Sequence, residues 1–415
     1  MRRIVERIRK NLLKNPQIYF CLFVLLFYIT IMFVLRHVFP AAGDIAISQV
    51  RWWDYLNEKG FKGISTINQD IGADYTNIWY FIIVLFCKIG LYPTISLEVC
   101  IKLMAILGSI ISGIAVYFIV KNFTQKESWK PAIAFCITLF SSTLFLDILK
   151  TNLPDSLYIA PVLFALLAII KHKPIIAWFL VGVAMQFKMM AIYILPLFAM
   201  LYILEFNKNK AKDILAPLSI LPGFILPAIP GWISGLNLYE SVFGTIFSRS
   251  GDGLSRFGIG GVLFDPNWKW LPTVDSDPKG AVLFGYLMII LIFLVIFAMI
   301  LNIKNKQKQK IQMGNLLIIS PLVMFMFMPA QHEGYFSLAV IFALIISTIS
   351  FSKRNWVLFG YLSFVHFSFV MNFTFIGMPN NYLIICTIGY LFISILKETK
   401  IFDRIKNEKV DYTQI

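Results

Sequence analysis

Long apolar runs alternate with short polar connectors along most of the chain. Runs of about 20 apolar residues can cross a bilayer as helices, so their repetition predicts an all-α polytopic membrane protein. The candidate spans are 17–39, 77–92, 97–120, 131–149, 156–171, 174–187, 189–205, 214–233, 281–303, 314–331, 335–351, 355–371 and 382–396. The pattern predicts a bundle of about 12 or 13 transmembrane segments.

A polar stretch at 40–76 interrupts the apolar pattern after the first run. It holds four acidic residues, Asp44, Asp54, Asp70 and Asp74. Read as a helix, its first part places Ile45, Trp52 and Leu56 on one face and Arg51, Asp54 and Glu58 on the other. This separation is typical of a helix that lies on the membrane surface and does not cross it.

A second polar stretch at 234–280 is rich in glycine and aromatic residues and contains Arg249 and Arg256. A flexible linker would contain more Ser, Pro and charge, so the composition favours a second interfacial element. The two stretches divide the chain into an N-terminal membrane module at 1–233, an outer loop at 234–280 and a C-terminal membrane module with a cytoplasmic tail at 281–415.

Composition and charge support an integral, multi-pass protein of the plasma membrane. Of the 415 residues 58% are hydrophobic, and the mean hydropathy is +0.75. The net charge of +15 suits basic cytoplasmic connectors and needs no nucleic acid to explain it. A cytoplasmic N-terminus places the first polar stretch outside, and cytoplasmic basic connectors in the second half of the chain place the 234–280 stretch outside as well. Segments 77–92 and 97–120 then cannot both span if the basic connector 121–130 is cytoplasmic, which leaves the count at 12 or 13.

Charged side chains in or beside apolar runs need a physical reason, because each costs roughly 2.5–3.5 kcal/mol at the centre of a membrane helix. Asp44 follows the first run, and it is either a general base at the membrane surface or the N-cap of a helix over 45–59. Asp155 follows Pro154 and precedes an apolar run, so a polar site and an N-cap compete there too.

Lys188 interrupts an apolar stretch from 174 to 204. It is either a cation that faces a phosphate or a lysine whose ammonium group snorkels to the surface at a tight turn. His332 and Glu333 lie beside Tyr335, between two apolar runs with almost no connector. They predict either a buried polar site, able to bind phosphate or a metal, or a structural histidine.

Motifs for several reaction classes are absent from the sequence. The chain has no Walker loop, no G-x-S-x-G and no H-E-x-x-H. Nucleotide-driven chemistry is therefore disfavoured. A reaction on the outer side would need an activated donor that is present there, and a lipid-linked sugar phosphate is the obvious kind.

Five stretches, taken in chain order, resemble the GT-C superfamily of polytopic glycosyltransferases and, within it, bacterial proteins similar to GPI mannosyltransferase 2. These stretches are RWWDYLNEKG at 51–60 after Asp44, ADYTNIW at 73–79, LPDSLY at 153–158, VAMQFKMMAIYILP at 183–196 and MPAQHEGYF at 328–336. Gly334 stands where the last family motif has Arg. If that Arg contacts the lipid phosphate, then Arg249, Arg256 or Lys188 has to replace it.

The resemblance implies a GT-C-like bundle whose module 1–233 is catalytic and whose site faces the outside at the membrane edge. It implies an inverting transfer of a hexose, with mannose the family-weighted choice, from a polyprenyl-phosphate donor to a glycan or glycolipid acceptor. The loop residue Asp44 would be the base. The donor and acceptor would be bound by Asp74, Tyr75, Asp155, His332, Glu333 and Tyr335, and the leaving phosphate by Lys188 with Arg249 or Arg256.

The sequence leaves two other functions open. A carrier or flippase for a lipid-linked sugar would use a similar basic helix bundle, although no internal repeat of the kind common in transporters is present. A surface-polysaccharide polymerase would also be polytopic with a large outer loop. No cofactor is required by the motifs; the carboxylates and the histidine are compatible with a divalent cation, but their spacing does not demand one.

Overall fold

A computed structural model of the chain describes residues 15–35, 48–73, 75–151, 155–205, 214–248, 278–328, 335–371 and 380–399. These ranges are largely helical and contain no strand, which confirms the predicted all-α class for the described residues. The α-helices are α1 Pro16–Val34, α2 Val50–Lys59, α3 Gly63–Ile71, α4 Asn77–Lys88, α5 Leu97–Asn122, α6 Lys130–Leu139, α7 Ser156–Ile170, α8 Pro174–Phe187, α9 Leu195–Glu205, α10 Ile220–Ile225, α11 Ile229–Ser234, α12 Leu238–Ser248, α13 Pro278–Leu301, α14 Lys306–Phe327, α15 Ser337–Ser350, α16 Lys353–Met371 and α17 Asn380–Leu396.

Six described helical segments are long and apolar enough to cross a membrane, in agreement with a multi-pass membrane protein. They are Pro16–Val34, Leu97–Asn122, Lys130–Lys150, Ala216–Ser234, Val282–Leu301 and Lys306–Phe327. Other apolar helices are shorter, and the 12 residues of α4 rise only about 18 Å against a hydrocarbon core of about 30 Å. The larger count of 12 or 13 spans and the orientation stay predictions.

The long helices differ in how much of their apolar surface is covered. Only 17% of the apolar window is buried in α1 and 28% in α13, whereas 72% is buried in α14. Phe23 and Leu26 on α1 are about two-thirds exposed. Apolar faces of this extent suit contact with lipid tails, while α14 packs among other helices.

Contacts divide the chain into two compact units. One comprises Met1–Ala191, Leu215–Thr245 and Ala343–Ser363, and the other comprises Ile192–Ile214, Ile246–Phe342 and Phe364–Ile415. In the first unit α5 packs on α6 and α7, and α8 packs on α7 and α10. The division into modules 1–233, 234–280 and 281–415 stays a prediction.

Helix α2 has the amphipathic character predicted for the first polar stretch. Its buried side chains are Trp52, Trp53 and Leu56. Its exposed side chains include Arg51, Asp54 and Glu58. Ten residues rise about 15 Å, so α2 is too short to span a bilayer. Ile45, expected on the apolar face, lies outside the described residues.

Two of the four acids in the first polar stretch bind tyrosine hydroxyls. The Tyr92 hydroxyl donates to Asp54 Oδ1, and the Tyr55 hydroxyl donates to Asp70 Oδ2. Burial, followed by these hydrogen bonds, raises the pKa of both tyrosines above the ordinary value. Both hydroxyls therefore remain protonated donors at neutral pH and tie α2 to α3 and to the segment after α4.

Helices α8 and α10 cross at two glycines so closely that their backbones touch. A Cβ atom added at Gly182 would lie 2.7 Å from the backbone nitrogen of Phe224, and one at Gly223 would lie 2.8 Å from the carbonyl carbon of Phe179. Because backbone atoms cannot move aside as a side chain would, only glycine fits this crossing. Small residues are the usual means of close helix contact in membranes.

We expect Gly182→Ala to destabilise the protein by about 1–3 kcal/mol, because the new methyl group overlaps the α10 backbone. A thermal melt of the purified protein in detergent would show the loss. Gly360→Ala on α16 is the matched control, since no heavy atom lies within 4 Å of its added Cβ. Equal melting of the two variants would contradict the close crossing.

Candidate functional site

The position of Asp155 depends on the contact between α7 and α5. The Ser156 hydroxyl donates to the Ala105 carbonyl oxygen at 2.7 Å. A Cβ atom on Gly108 would lie 2.5 Å from Ser156 Oγ and 2.8 Å from the Ser156 carbonyl carbon. The absence of a side chain at Gly108 therefore lets the first turn of α7, and Asp155 before it, lie directly against α5.

The Asp155 carboxylate forms an ion pair and does not cap its helix. Asp155 occupies the N-cap position of α7, yet its side chain makes no capping hydrogen bond. Its Oδ1 atom instead accepts from Lys188 Nζ at 2.6 Å. Of the two interpretations that the sequence left open, the structure therefore contradicts capping, and the carboxylate takes part in a polar cluster.

Lys188 reaches Asp155 because α8 ends just before it. The helix stops at Phe187, Lys188 is extended with φ −160° and ψ 132°, and a 3-10 helix begins at Met189. The Lys188 side chain is 13% exposed and that of Asp155 is 7% exposed. The ammonium group also lies 6.0 Å from the centroid of the Tyr158 ring. It thus points to a buried partner, which contradicts a snorkelling lysine.

A small, partly open cleft with enclosed room for about one water molecule surrounds this ion pair. Its other lining residues are Tyr75, Trp79, Leu157, Tyr158 and Phe187. The rings of Tyr75 and Trp79 lie 6.0 Å apart, and that of Tyr75 lies 5.0 Å from the Trp52 ring of α2. Residues just before α4 and in its first turn thus converge with residues of α7 and of the end of α8, beside the first polar stretch.

Two buried side chains attach α12, the first helix of the second polar stretch, to the elements that form this cleft. Asn77, between Tyr75 and Trp79, donates from Nδ2 to the Ser241 carbonyl oxygen at 2.8 Å. Gln186, just before Phe187, donates from Nε2 to the Val242 carbonyl oxygen at 3.3 Å. Both side chains are at most 5% exposed. The beginning of the predicted outer loop is therefore helical and is fixed beside the cleft.

Several predicted site residues fall elsewhere. Six of them, Asp44, Asp74, Arg249, Arg256, His332 and Glu333, lie outside the described residues. Tyr335 is buried at 6% exposure and belongs to the second unit. Within the described ranges no three His, Cys, Asp or Glu side chains converge on a point that could hold a metal ion. The roles of these residues stay predictions.

Sequence reasoning missed Trp79, Asn77 and Gln186 as contributors to the site, because their amide and indole side chains are uncharged and do not stand out within an apolar run. It also missed Asp147, a carboxyl residue only 4% exposed in the π-helix Ser142–Thr151. Its signal was present, since it is an acid inside an apolar run, and such residues need a reason. Asp147 does not line the cleft.

Comparison with protein-family models gave no match, and comparison with curated proteins gave no relative.

Lys188→Met is expected to destabilise the protein by about 3–5 kcal/mol, because it leaves a buried carboxylate without its cation. The double variant Asp155→Asn, Lys188→Met removes both charges and should recover most of that loss in denaturation measurements.

Lys59→Met is the control for this pair. It removes an exposed ion pair with Glu58, and such pairs contribute at most about 1 kcal/mol. If Lys188→Met were as mild as Lys59→Met, the Asp155–Lys188 pair would not be a buried interaction.

Proposed function

We propose that the protein is a membrane glycosyltransferase that moves a hexose from a polyprenyl-phosphate donor to an extracytoplasmic glycan or glycolipid. The proposal includes a cytoplasmic N-terminus, a bundle of about 12 or 13 spans and a site on the outer side of the plasma membrane. Its chemistry is an inverting displacement, and Asp44 is the general base.

The observation that carries the proposal is the convergence of three separate motifs on one cleft. Asp155 belongs to LPDSLY, Lys188 to the stretch at 183–196, and Tyr75 to ADYTNIW. The first two residues are 33 positions apart, yet they form an ion pair at 2.6 Å, and Tyr75 lines the same cleft. Three of the five motifs whose order along the chain resembles that of the family thus also lie together in the fold.

The surroundings of the cleft suit a substrate that is partly in the membrane. The cleft adjoins an amphipathic helix with an apolar buried face and a charged exposed face. Apolar helices long enough to span a bilayer belong to the same unit. A lipid-linked sugar has an apolar tail and a polar head group, and it would meet the protein at this kind of boundary.

In the proposed reaction Asp44 takes the proton of an acceptor hydroxyl as its oxygen attacks the anomeric carbon of the donor. The new glycosidic bond forms as the bond from that carbon to the phosphate oxygen breaks. The electron pair leaves with the polyprenyl phosphate, whose negative charge requires nearby cations. Attack from the face opposite the phosphate inverts the anomeric centre.

Asp44→Asn should lower transfer by about 10²–10⁴-fold, because the amide cannot take the proton. The assay uses the full chain in lipid nanodiscs with radiolabelled polyprenyl-phosphate hexoses and a membrane glycolipid extract. A new labelled product made by the wild type alone is the expected result.

Asp54→Asn is the matched control, since Asp54 lies in the same polar stretch, is exposed and binds only a structural tyrosine among the contacts described above. It should retain transfer. Full transfer by Asp44→Asn would remove Asp44 as the base, and no transfer by folded wild-type protein from any donor would remove the proposal. A ladder of products would indicate a polymerase.

A carrier for a lipid-linked sugar is the second candidate. The break between α8 and the following 3-10 helix places a charged residue where a helix is interrupted, as in many transporters. Movement of the sugar lipid across proteoliposomes without a new glycosidic bond would favour this function.

A further inference from the structure

We propose that the Asp155–Lys188 cleft binds the hexose ring of a substrate through its hydroxyl groups and does not bind the phosphate. This inference rests on the proposed function for the statement that a hexose is presented there. It reassigns Lys188, for which the sequence suggested a phosphate contact.

The charges in the cleft oppose a phosphate site. Lys188 Nζ lies 2.6 Å from an oxygen of Asp155, so the positive charge is already neutralised by a carboxylate. Among the described residues that line the cleft no other side chain is cationic. A phosphate would have to displace Asp155, and its charge would then face a carboxylate that is 7% exposed. Repulsion between two anions that are both largely shielded from solvent is costly.

The same pair suits neutral sugar hydroxyls. A carboxylate has several acceptor positions, and the Lys188 bond occupies one of them. Asp155 can therefore accept from a hydroxyl and keep its ion pair. Hydrogen bonds to an ionised group are about twice as strong as those between neutral groups, so a carboxylate is an effective ligand for a sugar hydroxyl.

Trp79 supplies a donor that has no acceptor among the described residues. Its Nε1 atom is buried without a hydrogen-bond partner there, and the residue, which lines the cleft, is 3% exposed. A buried donor without an acceptor is costly, which points to a ligand oxygen that completes it. A sugar hydroxyl or ring oxygen provides that acceptor.

The enclosed space beside the ion pair admits about one water-sized group. It suits a single hydroxyl of a sugar, while the sugar ring lies at the open mouth, where the half-buried Tyr75 ring can cover a C–H face of the pyranose. The polyprenyl chain stays outside the cleft.

The test measures binding of methyl hexopyranosides and of inorganic phosphate separately, with the full chain in nanodiscs. Saturation-transfer NMR should detect at least one methyl hexopyranoside of the gluco, galacto and manno series. Its binding should be insensitive to added salt and to excess phosphate, because the Asp155–Lys188 pair carries no net charge.

Asp155→Asn gives opposite results for the two ligand classes. It should weaken sugar binding by about tenfold, the loss of one hydrogen bond to a charged group. If the cleft were a phosphate site, the same variant would bind phosphate more tightly, because Lys188 would lose its competing partner.

Trp79→Phe tests the inference without changing charge. It keeps an aromatic ring and removes the N–H donor with part of the indole, so it should weaken sugar binding in protein that is still folded, with a lower melting temperature from the lost packing. Trp129→Phe, at a 45% exposed tryptophan outside the cleft lining, is the control and should bind as wild type does.

Absence of sugar binding by folded wild-type protein, or displacement of the sugar by phosphate, would overturn the inference. Failure of the proposed function would look different: the sugar would bind and respond to Asp155→Asn and Trp79→Phe, but no label would be transferred in the nanodisc assay. Conversely, transfer that depends on Asp44 together with sugar binding indifferent to both cleft variants would leave the function standing and the sugar site refuted.

Discussion

Backbone-to-backbone packing at glycines is the constraint on which the architecture of the cleft depends. Gly108 lets α7 begin against α5, and Gly182 and Gly223 let α8 cross α10. Gly231 on α11 leaves room for the Asn77 amide and for Ser241, whose hydroxyl would lie 2.7 Å from an added Cβ. In a bilayer the hydrophobic effect does not drive helices together, because lipid tails are as apolar as the side chains. Close packing of this kind is therefore a main source of helix association. The polar groups of the cleft meet because the helices that carry them can touch.

The apolar pattern placed several of the helices. The bounds of α8 at Pro174–Phe187 and of α5 at Leu97–Asn122 follow the runs predicted at 174–187 and 97–120. The faces of α2 also followed from the spacing of its tryptophans and acids. These features are local, since they depend on the period of the helix and on the apolar character of successive residues.

The partnership of Asp155 and Lys188 could not be predicted from local pattern. Each residue had a local alternative, a helix cap for Asp155 and a snorkelling position for Lys188, and both depend only on near neighbours in sequence. The pair instead depends on where α8 ends and on how closely α7 lies against α5. The uncharged groups Asn77, Gln186 and Trp79 gave even less signal, because their importance arises only from burial and from the partners that the fold brings to them.

The length of α4 has a consequence for the lipid around the protein. It has 12 residues and rises about 18 Å, whereas α5, which follows it, has 26 residues and rises about 39 Å. If α4 crosses the membrane, the hydrocarbon layer beside its exposed Leu85 would have to thin to match its length, at a cost of fractions of a kcal/mol per Å. Thinning would draw the head-group layer inward on that side and bring lipid head groups toward the beginning of α4.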